Sequence, residues 1–269
     1  MLKKFKIQDF LALRGPFESR RQTPGSLGLA LLLGSVFQIL MLFIEHRFMK
    51  QTYYPNATEI FTFHLWFSLL LIVFSLAYAI SAINIRSQKM QYFLTIVLSQ
   101  NLAGISVFIS MFFLIGIYGE ISREVFLNLT IILLVCGAFV FLVTSIRFYI
   151  LLAKGAYRKG SKRDLLRGKL EKNIAAYLPT IIASGTGLFL TLRALERSVT
   201  RLDFNVLVYV LFGIIIFLTM LFVLPEQLVI LYCKFRFKSF NFDQNGNLYS
   251  VSKDAKGKQK NNRKKMARI

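Results

Sequence analysis

Residues 26–44 read SLGLALLLGSVFQILMLFI, a run without a single charged side chain. The hydrocarbon core of a bilayer is about 30 Å thick, and a helix needs about 20 mostly apolar residues to cross it. This run is therefore long enough to form a transmembrane helix. It ends at Glu45, His46 and Arg47 rather than at small residues, which argues against a cleavable signal peptide.

Further runs of the same character follow along the chain, at 60–83, 93–117, 126–150, 174–192 and 206–231. Helices satisfy all of their backbone hydrogen bonds internally, so they are the expected structure for continuous apolar runs in lipid. The sequence thus predicts an all-α protein, a polytopic bundle of six transmembrane helices within residues 26–235. The run at 174–192 contains Pro179 and Gly185, which leaves a broken or re-entrant helix as an alternative there.

Hydrophobic residues make up 55% of the chain, yet its formal net charge is +21. Such a charge on a soluble protein would indicate nucleic acid binding, but here the basic residues lie between apolar runs. With both termini inside, 27 of the 34 Lys and Arg residues are cytoplasmic, as the positive-inside rule requires. We therefore predict an N-in/C-in protein and expect no nucleic acid partner. The bias toward Phe, Ile, Leu and Lys is typical of an AT-rich genome and predicts a bacterial cell membrane.

The parts outside the predicted spans are basic. Residues 1–25 combine apolar side chains with Lys3, Lys4 and Lys6, and predict either an amphipathic segment on the inner leaflet or an ordinary basic flank. Residues 236–269 form a basic cytoplasmic tail. Within this tail, Asn245-Gly246 predicts a tight hairpin turn, and the Lys-rich composition predicts disorder from about residue 253.

The cytoplasmic loop 153–173 concentrates positive charge between the fourth and fifth predicted spans. A charged loop of this kind is suited to contact anionic lipid or a cytoplasmic partner, and the alternative is a solvated loop that only fixes topology. The residues proposed for such contacts are Arg158, Lys159, Lys162, Arg163, Arg167 and Lys169.

Two charges fall within apolar runs near the cytoplasmic side. Arg147 lies late in the fourth span and Glu226 late in the sixth, so they are expected at similar depth. Because isolated charges at membrane depth are costly, we predict that they form an ion pair. The alternative is that Arg147 snorkels to the interface and Glu226 marks the end of its span. Pro225 predicts a hinge in the sixth span or the start of an interfacial helix.

Small and polar residues interrupt the third and fifth spans. Such residues form helix-packing seams or line a pathway, because small side chains permit close approach and amides bond across helices. They are Gln100, Asn101, Gly104, Ser184, Gly185 and Gly187.

The remaining candidates for chemistry are sparse. His64 and Trp66, near the outer end of the second span, are typical of an interfacial aromatic belt. Neither this region nor Cys136 and Cys233 shows metal-ligand or disulfide spacing, so no metal or cofactor is expected. No catalytic motif is present, and we expect a protein that is not an enzyme.

Three functions remain open on the sequence. The layout resembles membrane permease subunits that work with a separate ATPase, which predicts a subunit of a transport or export system. The second is a membrane-embedded binding protein, such as an assembly factor, a component of secretion or conjugation machinery, or a toxin-immunity protein. The third is a flippase or scaffold that acts on anionic lipids.

Overall fold

The computed structural model describes residues 2–118, 122–166, 168 and 204–251. These residues form an all-helical bundle with five long helices, each long and apolar enough to cross a membrane, which indicates an integral membrane protein. They are α1 (Pro24–Met49), α2 (Ala57–Ala79), α3 (Gln88–Ser99, Gln100–Ser106 and Val107–Tyr118), α4 (Arg123–Ala153) and α5 (Phe204–Arg236).

Helices α1 to α4 coincide with the first four predicted spans, 26–44, 60–83, 93–117 and 126–150. Helix α5 coincides with the sixth predicted span, 206–231. The second span ends earlier than predicted, because α2 stops at Ala79 and a short helix, Ser81–Asn84, follows. The predicted span 174–192 lies outside the described residues. The number of crossings therefore remains a prediction.

Local sequence explains where α1 begins. The Thr23 hydroxyl accepts a hydrogen bond from the Ser26 amide, and the Ser26 hydroxyl accepts one from the Thr23 amide, which forms a reciprocal capping box. Pro24 occupies the first helical position, where a missing amide hydrogen leaves no bond unmade. These contacts satisfy amide groups that a helix would otherwise leave without partners.

The bundle is built from two sets of contacts. The first joins α1, α2 and α3, and the second places α5 between α3 and α4. At Gly137 of α4, an added Cβ would lie 2.9 Å from the Phe217 ring and closer still to Leu221. Only a residue without a side chain permits this approach of α4 to α5.

Much of the outer surface is apolar. Large side chains that are between a half and two thirds exposed project from α1 and α4, where a soluble protein would carry polar residues. They include Leu29, Phe37, Phe43, Ile131, Val135, Phe139 and Ile146. An apolar surface on helices of this length is suited to hydrocarbon.

One end of the bundle is closed by what we call the terminal cap, formed by residues 2–22, 154–166 and 237–251. Its core contains Phe10, Leu13, Phe17, Tyr157 and Phe240, each 0–1% exposed. The apolar side chains of the N-terminal segment are thus covered by protein, including Phe237 against Phe10. Both described chain ends and the basic loop consequently lie at the same end of the bundle.

Polar side chains hold the irregular backbone of the cap. The Lys234 ammonium, 1% exposed, donates to the Phe240 carbonyl at 2.9 Å and lies 4.5 Å from the Phe17 ring centroid. The Gln88 side chain donates to the Phe242 carbonyl and accepts from the Phe242 amide, both at 2.8 Å. Arg236 donates to the carbonyls of Leu2 and Lys3.

The predicted turn in the tail is present. Phe242 and Leu248 form an antiparallel bridge, and Gly246 between them has φ +76°, a conformation that favours glycine. The aromatic residues at 235–242, just before this turn, do not form a strand. Helix α5 continues to Arg236, and a short 3₁₀ helix, Lys238–Phe240, follows. Residues from 253 onward, predicted to be disordered, lie outside the described residues.

Candidate functional site

A stripe of polar side chains faces the interior of the bundle where α1, α2 and α3 meet. On α1, Gln38 and Glu45 lie seven residues apart, or about two helical turns, and both are 0% exposed. On α2, His64 and Ser68 are one turn apart, at 3% and 0% exposed. This helical spacing places the polar groups of each helix on the face that it buries.

The only ionisable contact in this stripe joins Glu45 and His64, as far as the described residues show. Glu45 Oε2 lies 2.8 Å from His64 Nδ1, a distance typical of a charge-assisted hydrogen bond. Glu45 is at the last turn but one of α1 and His64 is in the second turn of α2. The pair therefore lies between the middle of the bundle and the end opposite the terminal cap, which we call the distal end.

The second nitrogen of His64 is also engaged. His64 Nε2 lies 3.2 Å from both Asn101 Oδ1 and Ser68 Oγ. The Asn101 amide nitrogen donates to Ser68 Oγ at 2.9 Å, which directs the Asn101 oxygen toward the imidazole. The imidazole therefore has a hydrogen-bond partner at each ring nitrogen, the Glu45 carboxylate on one side and Asn101 and Ser68 on the other.

Gln38 extends the stripe along α1. Its amide nitrogen donates to Ser106 Oγ at 2.8 Å and lies 3.4 Å from Ser68 Oγ. We refer to Gln38, Glu45, His64, Ser68, Asn101 and Ser106 together as the polar network. All of its hydrogen bonds among these residues run from side chain to side chain.

The geometry of α3 allows two of its residues to join the network. Asn101 and Ser106, five residues apart, would point about 140° apart on a regular α-helix. They lie in a π-helical segment, Gln100–Ser106, whose wider turn brings positions five apart closer to one face. Short π-helical segments often occur at functional sites for this reason.

Three buried oxygens at this site accept no hydrogen bond from the described residues. They are Gln38 Oε1, Glu45 Oε1 and Ser110 Oγ. The Ser106 hydroxyl lies within hydrogen-bonding reach of the Glu45 carboxylate, and the Tyr209 hydroxyl of α5 lies within reach of Ser110.

The prediction of an interfacial belt was wrong for His64. Trp66 is 68% exposed, but His64 is 3% exposed and faces the interior of the bundle. Two residues along a helix are about 200° apart, so neighbours in sequence lie on opposite faces. The sequence does contain a signal for the buried face, because polar residues recur at helical spacing within two apolar runs. They are Ser35, Gln38 and Glu45 in the first run and His64, Ser68 and Ser75 in the second.

Arg147 and Glu226 were predicted to form an ion pair. Both line a cavity of about 400 Å³ near the terminal cap, together with Thr144 and Gln227. The Arg147 side chain is exposed and that of Glu226 is half-buried. Their pairing stays a prediction.

The polar residues of α3 have separate partners. Gln100 donates to the Met220 carbonyl of α5 at 3.0 Å and to Gln227 Oε1 at 3.3 Å. Pro225 interrupts the hydrogen bonding of α5 in the same region, so Gln100 joins α3 to the stretch of α5 around that interruption. Gly104 is buried where α3 faces Met220. Whether Pro225 acts as a hinge stays a prediction, and Ser184, Gly185 and Gly187 lie outside the described residues.

The cations of the basic loop are placed in and around the terminal cap. Arg158 forms a 2.9 Å ion pair with Asp9, Lys159 lies 3.5 Å from Glu18, and Arg163 lies over the Tyr157 ring. Lys162 is exposed, as are the following Leu165 and Leu166, at 60% and 61%. Arg167 and Lys169 lie outside the described residues. A contact of this loop with a partner or lipid stays a prediction.

Among the described residues, no three His, Cys, Asp or Glu side chains lie close enough together to hold a metal ion. Cys136 and Cys233 are free thiols, the first exposed and the second buried.

In comparisons with known proteins, the chain matches no protein-family model, no curated protein and no solved structure. The polar network is therefore the feature from which function has to be argued.

Proposed function

We propose that the protein is a six-span membrane subunit of a transport or export system, with both termini in the cytoplasm. In this proposal the Glu45–His64 pair is the coupling site and binds a proton. The pair moves that proton as the helices around it change their packing. No step of this function requires a catalytic group.

The observation that carries the proposal is the buried Glu45–His64 contact at 2.8 Å. Helical backbones are already fully hydrogen-bonded, so the bundle does not need these side chains to satisfy its main chain. A buried ion pair is weak support for stability, since apolar residues of similar volume often stabilise a protein as well or better. Ionisable groups inside a membrane bundle instead mark proton and ion pathways.

The arrangement of the helices supports the proposed topology. The terminal cap gathers the N-terminal segment, the basic loop and the start of the C-terminal tail, which together carry most of the described Lys and Arg residues. The positive-inside rule assigns such an end to the cytoplasm. Helix α4 ends at the cap, whereas α5 begins beside Tyr54 and Phe126 at the distal end. This favours an even number of crossings, six in all.

A proton-movement assay tests the proposal. Everted vesicles would be prepared from cells that express the gene of this protein together with its neighbouring genes. The vesicles would then be energised so that their interior becomes acidic. Addition of NaCl, KCl or a panel of organic ions is expected to release protons from wild-type vesicles for one solute class. Glu45→Gln should lose this response, because it removes the carboxylate of the proposed proton-binding pair.

The matched control is Ser75→Ala, which alters a buried polar residue of α2 outside the network. This variant should respond as the wild type does. Equal responses from wild type and Glu45→Gln, at equal protein levels, would contradict a coupling role for the pair.

The terminal cap favours one alternative, a membrane-embedded protein that binds a cytoplasmic partner. Leu165 and Leu166 are exposed next to Lys162, a surface of apolar and basic character that suits a protein partner. Purification of the full-length protein in mild detergent should then retain that partner. Leu165→Ser with Leu166→Ser should release it, while Glu45→Gln should leave it bound.

A further inference from the structure

Another cavity, of about 610 Å³, lies beside the terminal cap. It is bordered by the connection between α2 and α3, by the end of α5 and by the tail residues of the cap. No Asp or Glu is among the described residues that line it, whereas five cations are. They are Arg86, Lys89, Lys234, Arg236 and Lys238. A cavity lined by charges of one sign attracts ligands of the opposite sign, so this cavity is suited to an anion.

The cations of this cavity differ in what they already contact. Lys234 is buried and donates to the Phe240 carbonyl, and Arg236 donates to backbone carbonyls of the N-terminal segment. Arg86 and Lys89 are exposed, and neither forms an ion pair with the described residues. The Lys89 ammonium lies 5.3 Å from the centroid of the Phe235 ring at the end of α5. Arg86 and Lys89 are therefore the two cations that can bind a ligand without giving up a contact of the fold.

The first turn of α3 adds to the positive potential. Ser87, Gln88, Lys89 and Met90 all line the cavity, and the first backbone bond to this turn is the one from the Gln91 amide to the Ser87 carbonyl. The amides of a first helical turn have no acceptor within their own helix, and the helix dipole is positive at this end. Both features favour a phosphate or a similar anion beside the two exposed cations.

An apolar surface adjoins these cations on the side of the bundle. Phe93 follows Lys89 by one turn of α3 and is 40% exposed. Leu228 and Phe235, two turns apart on α5, are 41% and 55% exposed. The two helices contact each other along this stretch, and both are long and apolar enough to cross a membrane. The cations therefore lie where the apolar surface of the spans ends, which is the level of lipid headgroups.

We propose that this cavity binds an anionic phospholipid, with the phosphate against Arg86 and Lys89 and the acyl chains along Phe93 and Leu228. Several cations without a carboxylate favour a headgroup with net negative charge over a zwitterionic one. Basic pockets at the ends of transmembrane helices bind such headgroups in other membrane proteins. Free phosphate has the same anionic group, but it would leave the adjoining apolar surface without a partner.

The test is the melting temperature of the purified full-length protein in detergent, as phosphatidylglycerol or phosphatidylcholine is added at equal ionic strength. A ligand that binds only the folded state raises Tm in a saturable manner. We expect phosphatidylglycerol to raise the Tm of the wild type more than phosphatidylcholine does, and sodium phosphate without lipid to give no such rise. Arg86→Gln with Lys89→Gln should lose most of the difference between the two lipids. Native mass spectrometry of the same samples counts bound lipid directly, so the comparison holds even if this double variant is less stable.

Lys154→Gln with Lys162→Gln is the matched control. It removes two exposed cations at the same end of the protein, and neither of them lines the cavity. Because the net charge changes equally, any general attraction of the protein for anionic lipid falls equally in both double variants. The control should keep the phosphatidylglycerol response of the wild type.

Three results would overturn the proposal. Equal rises of Tm with the two lipids would show that the headgroup charge is not recognised. Equal losses of bound phosphatidylglycerol in the two double variants would show a general attraction rather than a site. The same rise in sodium phosphate alone would assign the cavity to a soluble anion. The proposal does not rest on the coupling role of the Glu45–His64 pair, since Glu45→Gln should keep the phosphatidylglycerol response.

Discussion

The polar network and the terminal cap both bury polar side chains, but they use them differently. At the cap, Lys234 of α5 bonds to the backbone of Phe240 and Gln88 of α3 bonds to that of Phe242, where the chain is irregular and its main-chain groups need partners. In the network, Glu45 and His64 bond to each other and to further side chains, between helices whose backbones are already satisfied. The cap contacts are explained by folding, whereas the network contacts are not.

This comparison yields a general criterion for membrane proteins. Buried polar groups that satisfy irregular backbone contribute to the fold, because an unpaired main-chain group is costly. Buried polar groups that bond only among themselves could be replaced by apolar residues without loss to the main chain. Polar side chains also join membrane helices by hydrogen bonds between them, so the proposed role in handling charge rests on the Glu45–His64 pair.

The largest effect should follow from breaking the ion pair on one side. His64→Leu leaves the buried Glu45 carboxylate without its partner, which should lower the free energy of unfolding by about 3–5 kcal/mol. The double variant Glu45→Leu with His64→Leu should recover most of this loss, because no buried charge remains. Unfolding by SDS in mixed micelles would measure both. A double variant as unstable as the single one would show that the pair is needed for folding.

A smaller effect is expected in the cap. Lys234→Met keeps most of the apolar stem but removes the hydrogen bond to the Phe240 carbonyl and the contact with the Phe17 ring. We expect a loss of about 1–3 kcal/mol, because a buried carbonyl is left unsatisfied. Hydrogen exchange of the amides at 237–242 should accelerate, while exchange in α2 stays unchanged. Acceleration throughout the bundle would contradict a local role for Lys234.

The smallest change in stability is expected from Asn101→Ala. This variant removes the acceptor beside His64 Nε2 and the donor to Ser68. The expected loss is about 1 kcal/mol, typical of a single hydrogen-bonded site. Proton movement in vesicles should be largely lost, although the free energy of unfolding changes little. If activity persists at the wild-type level, Asn101 does not position the imidazole.

The sequence was sufficient for the helices but not for the site. Long apolar runs predict the five described helices because each run must satisfy its own backbone in lipid. His64 was assigned to the interface because its neighbour Trp66 is typical of that region, and sequence adjacency does not tell which helix face a side chain occupies. The contact between Glu45 and His64 depends on how α1 packs against α2, and no local pattern encodes it. The π-helical segment of α3 likewise has no simple signature, although Asn101 was identified as a polar candidate.

The N-terminal segment teaches the same lesson. The apolar side chains of residues 1–25 and the nearby Lys3, Lys4 and Lys6 predict either contact with lipid or an ordinary basic flank. In the structure, Phe10 and Leu13 instead belong to one apolar cluster with Tyr157, Phe237 and Phe240. The apolar side chains were identified correctly from the sequence. The surface that covers them is formed by residues more than 140 positions away.

The state of His64 is the most direct test of the account. The chain contains only two histidines, and the other, His46, contacts Phe61 outside the network. His46→Gln therefore leaves a protein in which ¹⁵N-histidine NMR observes His64 alone. The account predicts that both ring nitrogens of His64 are hydrogen-bonded, so Glu45→Gln should shift the ¹⁵N resonance of Nδ1 and Asn101→Ala that of Nε2. Unchanged His64 resonances in both variants would contradict it.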